Sequence, residues 1–207
     1  MDKGESVVHI VDDEEPVRRS LAFLLTMSGY TVRQHESALA FLSAAPTIRN
    51  GCLVTDLRMP DVDGIELLQR LRHLSCAIPA IVITGHGDVP LAVEAMKAGA
   101  FDFIEKPFKD DVLISAVDRA IASLGRQAVH EDISAIRTRV ALLSEREREV
   151  FAAVVAGLPN KTIAYDLDIS PRTVEVHRAS VMSKMEARSL PELVRMAIEA
   201  GLGARQH

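Results

Sequence analysis

Apolar positions in the first 124 residues follow two rhythms that alternate along the chain. One is a short, nearly unbroken apolar run of strand length, seen at residues 7–11, 30–35, 52–56, 80–84 and 101–105. The other is the three-to-four-residue spacing of an amphipathic helix. It appears in Val17, Leu21, Leu24 and Leu25 after Pro16, in residues 37–45, and in Leu67, Leu68 and Leu71. It returns in Val89, Ala92, Val93 and Met96, and in Val112, Leu113, Ala116, Val117, Ala120, Ile121 and Leu124. Runs without polar alternation are what strands buried on both faces require. Five of them alternating with five helices predict a doubly wound, flavodoxin-like parallel sheet with right-handed crossovers. Local signals agree: Pro16 suits a first helical turn, Asp63 and Glu66 have capping-box spacing, Asp88 caps the fourth helix and Gly99 closes it.

Beyond residue 124 the strand rhythm stops. Residues 125–140 are polar and read as a linker, partly helical because Ile133, Ile136 and Val140 have the spacing to carry a helix across it. From 141 to 207 the pattern is helical throughout. Ser144 and Glu147 form a capping box before Val150, Phe151, Val154 and Val155, and Gly157 ends that helix. Asn160 and Lys161 open a second helix with Ile163, Ala164 and Leu167, and Asp168-Ile169 makes a tight turn. Ser170 caps a third helix beginning at Pro171, and Ser189 caps a fourth with Leu193, Val194, Ala197 and Ile198. The expectation is an all-α four-helix domain with a helix-turn-helix at its centre. At 100° per residue the third helix sends Val174, Val181 and Met185 to the core, with Arg178 beside them. Arg172, Val176, Ala179 and Ser183 face out, flanked by Thr173, Glu175 and Ser180. A small, partly basic outer face suits a DNA major groove about 12 Å wide, although an ordinary exposed helix has the same spacing.

Composition adds little. With 48% hydrophobic and 26% charged residues the chain is ordinary globular protein. No apolar run nears the roughly 18 residues of a membrane helix and no signal-like segment follows Met1, so a cytoplasmic protein without membrane partners is expected. Cys52 and Cys76 have neither the number nor the spacing of a disulfide framework or metal site. Charge says more. Residues 1–124 hold 12 Lys/Arg against 18 Asp/Glu, or −6, while residues 125–207 hold 12 against 11, or +1. The split points to two domains with different partners.

In a parallel sheet the C-terminal strand tips share one edge, where ligands bind. Asp12 and Asp13 end the first strand, Asp56 the third, Thr84 the fourth, and Lys106 follows the fifth. Three carboxylates gathered there repel one another unless a cation joins them, and Mg²⁺ suits such oxygen donors. The Lys106 ammonium and Thr84 hydroxyl add groups able to bind phosphoryl oxygens, so the set suits phosphoryl transfer to Asp56. Asp12-Asp13, Asp56, Thr84 and Lys106-Pro107 resemble, in order and spacing, the receiver domain of two-component response regulators. The resemblance implies that Asp56 accepts phosphate from a sensor histidine kinase. It also implies that Asp12, Asp13, Asp56 and the Arg58 backbone carbonyl bind Mg²⁺, that Thr84 and Lys106 bind the phosphate, and that Phe103 is the switch aromatic. His86 reads as a loop residue beside the site.

The second half resembles the LuxR-type DNA-binding domain through Leu143-Ser144, Arg146-Glu147, Glu149-Val150, Gly157, Asn160-Lys161, Ile163-Ala164, Leu167, Ile169-Ser170, Thr173-Val174, His177 and Lys184. Departures are Phe151 and Met185 where Leu is usual, Ser180 where Asn is common, and Glu175 where Lys is frequent. The resemblance implies base reading by Arg172, Glu175, Val176 and Ala179, and phosphate contacts from Lys161, Thr173, His177 and Lys184. Receiver plus LuxR-type effector is the NarL/FixJ family architecture. Residues 9–17, 83–90 and 157–161 resemble its FixJ branch. That branch implies an oxygen-sensing, FixL-like kinase and activation of nitrogen-fixation genes in low oxygen, although no residues here resemble a haem site. The expected protein is thus a phosphorylation-activated transcriptional regulator that dimerises on double-stranded DNA and engages RNA polymerase. Its only chemistry is Mg²⁺-dependent phosphorylation and dephosphorylation at Asp56. Two other classes compete: a phosphorylation-independent DNA-binding protein, and an aspartyl-phosphate phosphatase, against which Arg58 stands where a second acid is needed.

Overall fold

The computed structural model describes residues 6–48, 50–74, 76, 78–85, 89–124 and 133–202. The chain divides into two compact units, one holding the sheet and one holding the C-terminal helices. Expectations for His86, Asp88 and residues 125–132 fall outside the described residues.

The sheet is parallel, in the order β2-β1-β3-β4-β5, with β1 at Val7–Val11, β2 at Thr31–His35, β3 at Cys52–Asp56, β4 at Ala80–Thr84 and β5 at Asp102–Glu105. Between them in the chain lie α1 (Glu15–Met27), α2 (Ala38–Ala44), α3 (Gly64–His73) and α4 (Val89–Ala98), and α5 (Asp110–Leu124) follows β5. β1, β3 and β4 are buried almost throughout, as unbroken apolar runs demand. β2 departs from that pattern: it is an edge strand and leaves Thr31, Arg33 and Gln34 exposed. Alternate residues Val8, Ile10, Cys52, Val54, Ile81, Ile83 and Ile104 pack with Leu21 and Leu25 of α1 and Leu113, Val117 and Ile121 of α5. On the opposite face His9 meets Phe41 of α2.

Two start signals behave differently from each other. Asp63 caps α3 by accepting from the Glu66 N–H at 2.8 Å. The reciprocal half of that expected capping box is absent, because the Glu66 carboxylate binds Arg70 one turn on, at 2.6 Å. In the second unit the Ser144–Glu147 box is complete.

That unit holds α6 (Ile133–Ala141), α7 (Glu145–Ala156), α8 (Asn160–Asp166), α9 (Pro171–Met185) and α10 (Leu190–Glu199). The helix expected across part of the linker is α6, and its Ile136 is fully buried with Leu143, Val150, Phe151, Ile163, Val174, Val181, Met185 and Leu193. It is a fifth helix of the unit's core where the pattern beyond residue 140 gave four. Asp168, at φ 53°, makes the turn between α8 and α9. Ser170 caps α9 through the Thr173 N–H at 3.1 Å, and Pro171 takes the first helical position, where no N–H is needed.

Candidate functional site

The alternation of side chains along a strand explains how the acidic site is assembled. Ile10, Val54 and Ile104 share one face of the sheet, and Asp12, Asp56 and Lys106 lie two residues further along each chain segment, beyond or at the strand tips. Lys106 Nζ donates to Asp56 Oδ1 at 2.7 Å and lies 3.5 Å from Asp12 Oδ2. The Asp12 and Asp56 side chains are only 4% and 12% exposed, so one ammonium stands between two nearly buried carboxylates. Burial pushes the Asp12 carboxyl pKa up, against the Glu14 N–H and Lys106, which favour its charged form. Burial also works against the Lys106 charge, but the hydrogen bond and charge of Asp56, with help from Asp12, hold its pKa above the ordinary lysine value.

The backbone completes the cradle. The Arg58 N–H donates to Asp56 Oδ2 at 2.6 Å, so each oxygen of Asp56 has a donor. Lys106 is anchored through its own N–H to the Thr84 carbonyl at 2.7 Å, which ties β5 to the tip of β4. Thr84 is 1% exposed. In the β4–β5 register Val82 pairs with Phe103 and Thr84 with Glu105, which puts Thr84 and the half-buried Phe103 on the same face of the sheet.

Asp13 is exposed and takes no part in the Lys106 ion pairs. Among the described residues no three His, Cys, Asp or Glu side chains stand close enough together to hold a metal ion. The donors nonetheless fit a hard divalent cation: two carboxylates share a single ammonium, which leaves an excess negative charge of one in a partly buried place.

Two members of the site gave no signal in the sequence. Arg18 of α1 reaches back to the carbonyls of Asp12 and Asp13, at 2.7 and 3.0 Å, and so pins the acidic loop. Gly64 begins α3 where a Cβ would stand 2.6 Å from the Asp56 carbonyl oxygen. A lone Arg on a helix and a Gly after a capping Asp carry no chemistry until the fold brings them to the strand tips. Beside the site, an apolar groove is lined by Val17, Phe23, Leu24 and Met27 of α1 with Pro107 and Phe108 after β5. Phe23 and Met27 are 71% and 73% exposed, an unusual apolar surface next to Lys106.

In the second unit α9 presents the faces its periodicity predicts. Val174, Val181 and Met185 are buried, and Arg172, Glu175, Val176 and Ala179 are exposed, with Thr173 and His177 intermediate. Lys161 is exposed on α8. Arg178, expected beside the core stripe, is half-buried and donates to Asn160 Oδ1 at 2.6 Å, which fixes α9 to the start of α8. Lys184 is engaged inside the unit: its ammonium lies 2.7 Å from Glu147 Oε2 and 3.4 Å from the Leu142 carbonyl.

A strand-tip carboxylate held by a lysine in a doubly wound sheet, joined in one chain to a capped helix-turn-helix, defines a class. Residues 8–118 match the response regulator receiver domain, and residues 141–197 match the bacterial regulatory proteins of the luxR family. The chain belongs to the NarL/FixJ family of two-component response regulators and is a phosphorylation-activated transcriptional regulator. Members act with a cognate sensor kinase and, through the helix-turn-helix domain, on DNA and RNA polymerase. Their own chemistry is confined to Mg²⁺-dependent phosphorylation and dephosphorylation of an aspartate. Among relatives, the chain is 68% identical over 197 residues to the transcriptional regulatory protein FixJ of Rhizobium meliloti (strain 1021), covering 95% of this chain and 97% of that one. It is 47% identical over 192 residues to the C4-dicarboxylate transport transcriptional regulatory protein DctR of Rhodobacter capsulatus, covering 91% and 98%. Full-length FixJ from B. japonicum, known from crystal structures, matches with a TM-score of 0.58 and 50% identity, covering 96% of this chain and 98% of that chain. Among the described residues no helix is long and apolar enough to cross a membrane.

Proposed function

We propose that Asp56 is the residue phosphorylated, and that its phosphate controls DNA recognition by α9. The observation that carries this reading is the Lys106 ammonium held between Asp56 and Asp12 at the strand tips. In the transfer, an Asp56 oxygen takes the phosphoryl group from a phosphohistidine nitrogen of the kinase. Lys106 and the Arg58 N–H, which orient the two Asp56 oxygens, then face the transferred oxygens, and Thr84 supplies a hydroxyl from the neighbouring tip. Asp12, Asp13, Asp56 and the Arg58 carbonyl would hold Mg²⁺, which neutralises charge on the transferring group. The exposed apolar groove of α1 beside Lys106 suits a protein donor in place of a small phosphate ester.

Phosphorylation adds about −1.5 to −2 charges, and Thr84 with Phe103 converts that local change into a rearrangement of β4 and β5. The phosphorylated chain dimerises on double-stranded DNA, with Arg172, Glu175, Val176 and Ala179 at base edges and Lys161, Thr173 and His177 at phosphates. The similarity to FixJ proteins supports an oxygen-sensing, FixL-like kinase and nitrogen-fixation genes as the target, activated in low oxygen.

Asp56→Asn tests the acceptor. The wild-type chain takes label from ³²P-acetyl phosphate in the presence of Mg²⁺, and the variant takes none. Label retained by the variant places the acceptor elsewhere.

A further inference from the structure

Three donors converge on one carboxylate at the junction of α7 and α9. Glu147 is 6% exposed. Its Oε2 accepts from the Ser144 N–H and from Lys184 Nζ, both at 2.7 Å, and its Oε1 accepts from Ser180 Oγ at 2.6 Å. The Glu147 N–H meanwhile donates to Ser144 Oγ at 3.3 Å. The Ser144 contacts are an ordinary capping box and need no further purpose. Lys184 and Ser180 belong to α9, the DNA-reading helix, and an ammonium, a hydroxyl and a backbone N–H around an anion are the donor types that proteins also offer to a DNA phosphate.

The other cations of α9 sharpen this. The helix carries three Lys/Arg residues: Arg178 is tied to Asn160 and Lys184 to Glu147, while Arg172 is exposed. A recognition helix that keeps two of its three permanent cations on internal partners gains little from the sequence-independent attraction of the phosphate backbone. Its discrimination then rests more on base contacts. The pair is nearly buried on the Glu147 side, so salt screens it weakly.

We infer that Glu147 serves as an internal stand-in for a DNA phosphate, holding Lys184 and Ser180 away from the backbone and so limiting sequence-independent binding. It is a specificity-determining positioning residue and touches no DNA itself. The inference rests on the assignment of α9 as the DNA-reading helix.

The test uses the full-length chain treated with acetyl phosphate and Mg²⁺ and a fluorescein-labelled duplex of random sequence, with binding followed by anisotropy across a salt series. Each phosphate contact contributes about 0.9 to the slope of log K against log salt. Glu147→Gln steepens the slope by about 0.9 relative to wild type and tightens binding at low salt, and Glu147→Gln/Lys184→Met returns the slope to the wild-type value. Lys184→Met alone keeps the wild-type slope, and because this change falls on a partly exposed side chain it reads the same question should Glu147→Gln fail to fold. A shallower slope for Lys184→Met alone, or an unchanged slope for a folded Glu147→Gln, overturns the inference. Wild-type chain that binds no duplex at all overturns the reading of α9 itself.

Discussion

At the scale of single residues, the most informative groups outside the phosphoacceptor site are two imidazoles. His9 on β1 is 2% exposed, its Nδ1 lies 3.1 Å from His35 Nε2 on the neighbouring strand, and Phe41 packs edge-on to both rings. Burial first, then the charges of His35 and Arg33, lower the His9 pKa to about 4, and burial and Arg33 lower that of His35. A histidine held neutral in the fold protonates first in the unfolded chain. Its effect on stability is therefore nil above the ordinary histidine pKa of about 6.5, and stability falls as the pH drops from there through about 4. Urea unfolding of the full chain between pH 7.5 and 4.5 checks this: stability declines on the acid side, and His9→Leu flattens the decline while lowering stability at neutral pH. An equally steep decline in His9→Leu assigns the acid limb to other groups. Asp12, Asp56, Thr84 and Lys106 are legible in the sequence because each ends or follows an apolar run, and parallel strands bring such ends together. Arg18 and the hub at Glu147 are not. Their roles depend on which backbone carbonyl or helix lies across from them, and spacing along the chain does not encode that.

At the scale of elements, apolar rhythm located every strand and α-helix seen in the described residues, with shifts of a residue or two at the ends. The strand at 30–35 begins at Thr31, and that at 101–105 begins at Asp102. The helix at 37–45 stops at Ala44, and a short 3₁₀ turn carries Pro46. Capping chemistry was less dependable where charged side chains had another choice, as Glu66 did with Arg70. The junction of β3 and α3 is the element-level feature that matters most to function. Gly64 N–H donates to the Leu57 carbonyl at 2.8 Å, and a Cβ there would stand 2.6 Å from the Asp56 carbonyl oxygen and 3.0 Å from Leu57 Cα, both backbone atoms unable to step aside. Gly64→Ala forces β3 and α3 apart, costs about 1–3 kcal/mol in urea unfolding, and slows phosphorylation by acetyl phosphate more than tenfold. A variant that loses the stability but keeps the wild-type labelling rate contradicts the claim that this junction sets the pose of Asp56.

At the scale of the whole molecule, the chain joins a negatively charged sheet unit, whose chemistry is one aspartate, to a helical unit whose exposed helix carries few free cations. The charge division along the sequence, −6 against +1, pointed to two domains with different partners. In the proposed reading, which genes are served depends on the contacts that Arg172, Glu175, Val176 and Ala179 would make with bases and on the kinase, and neither partner is encoded in this chain alone. Moving a two-state equilibrium from 1:99 to 99:1 takes about 5.5 kcal/mol of differential stabilisation, so one phosphate has to act on an element already close to balance. In the proposed mechanism, phosphate at Asp56 governs what α9 binds. A binding titration decides this, with the full-length chain on a duplex that the acetyl-phosphate-treated protein itself enriches from a random pool. It is run with and without acetyl phosphate and Mg²⁺, in wild type and Asp56→Asn. Acetyl phosphate is expected to tighten wild-type binding at least tenfold and to leave Asp56→Asn unchanged. Equal affinity of the wild-type chain in both conditions contradicts it.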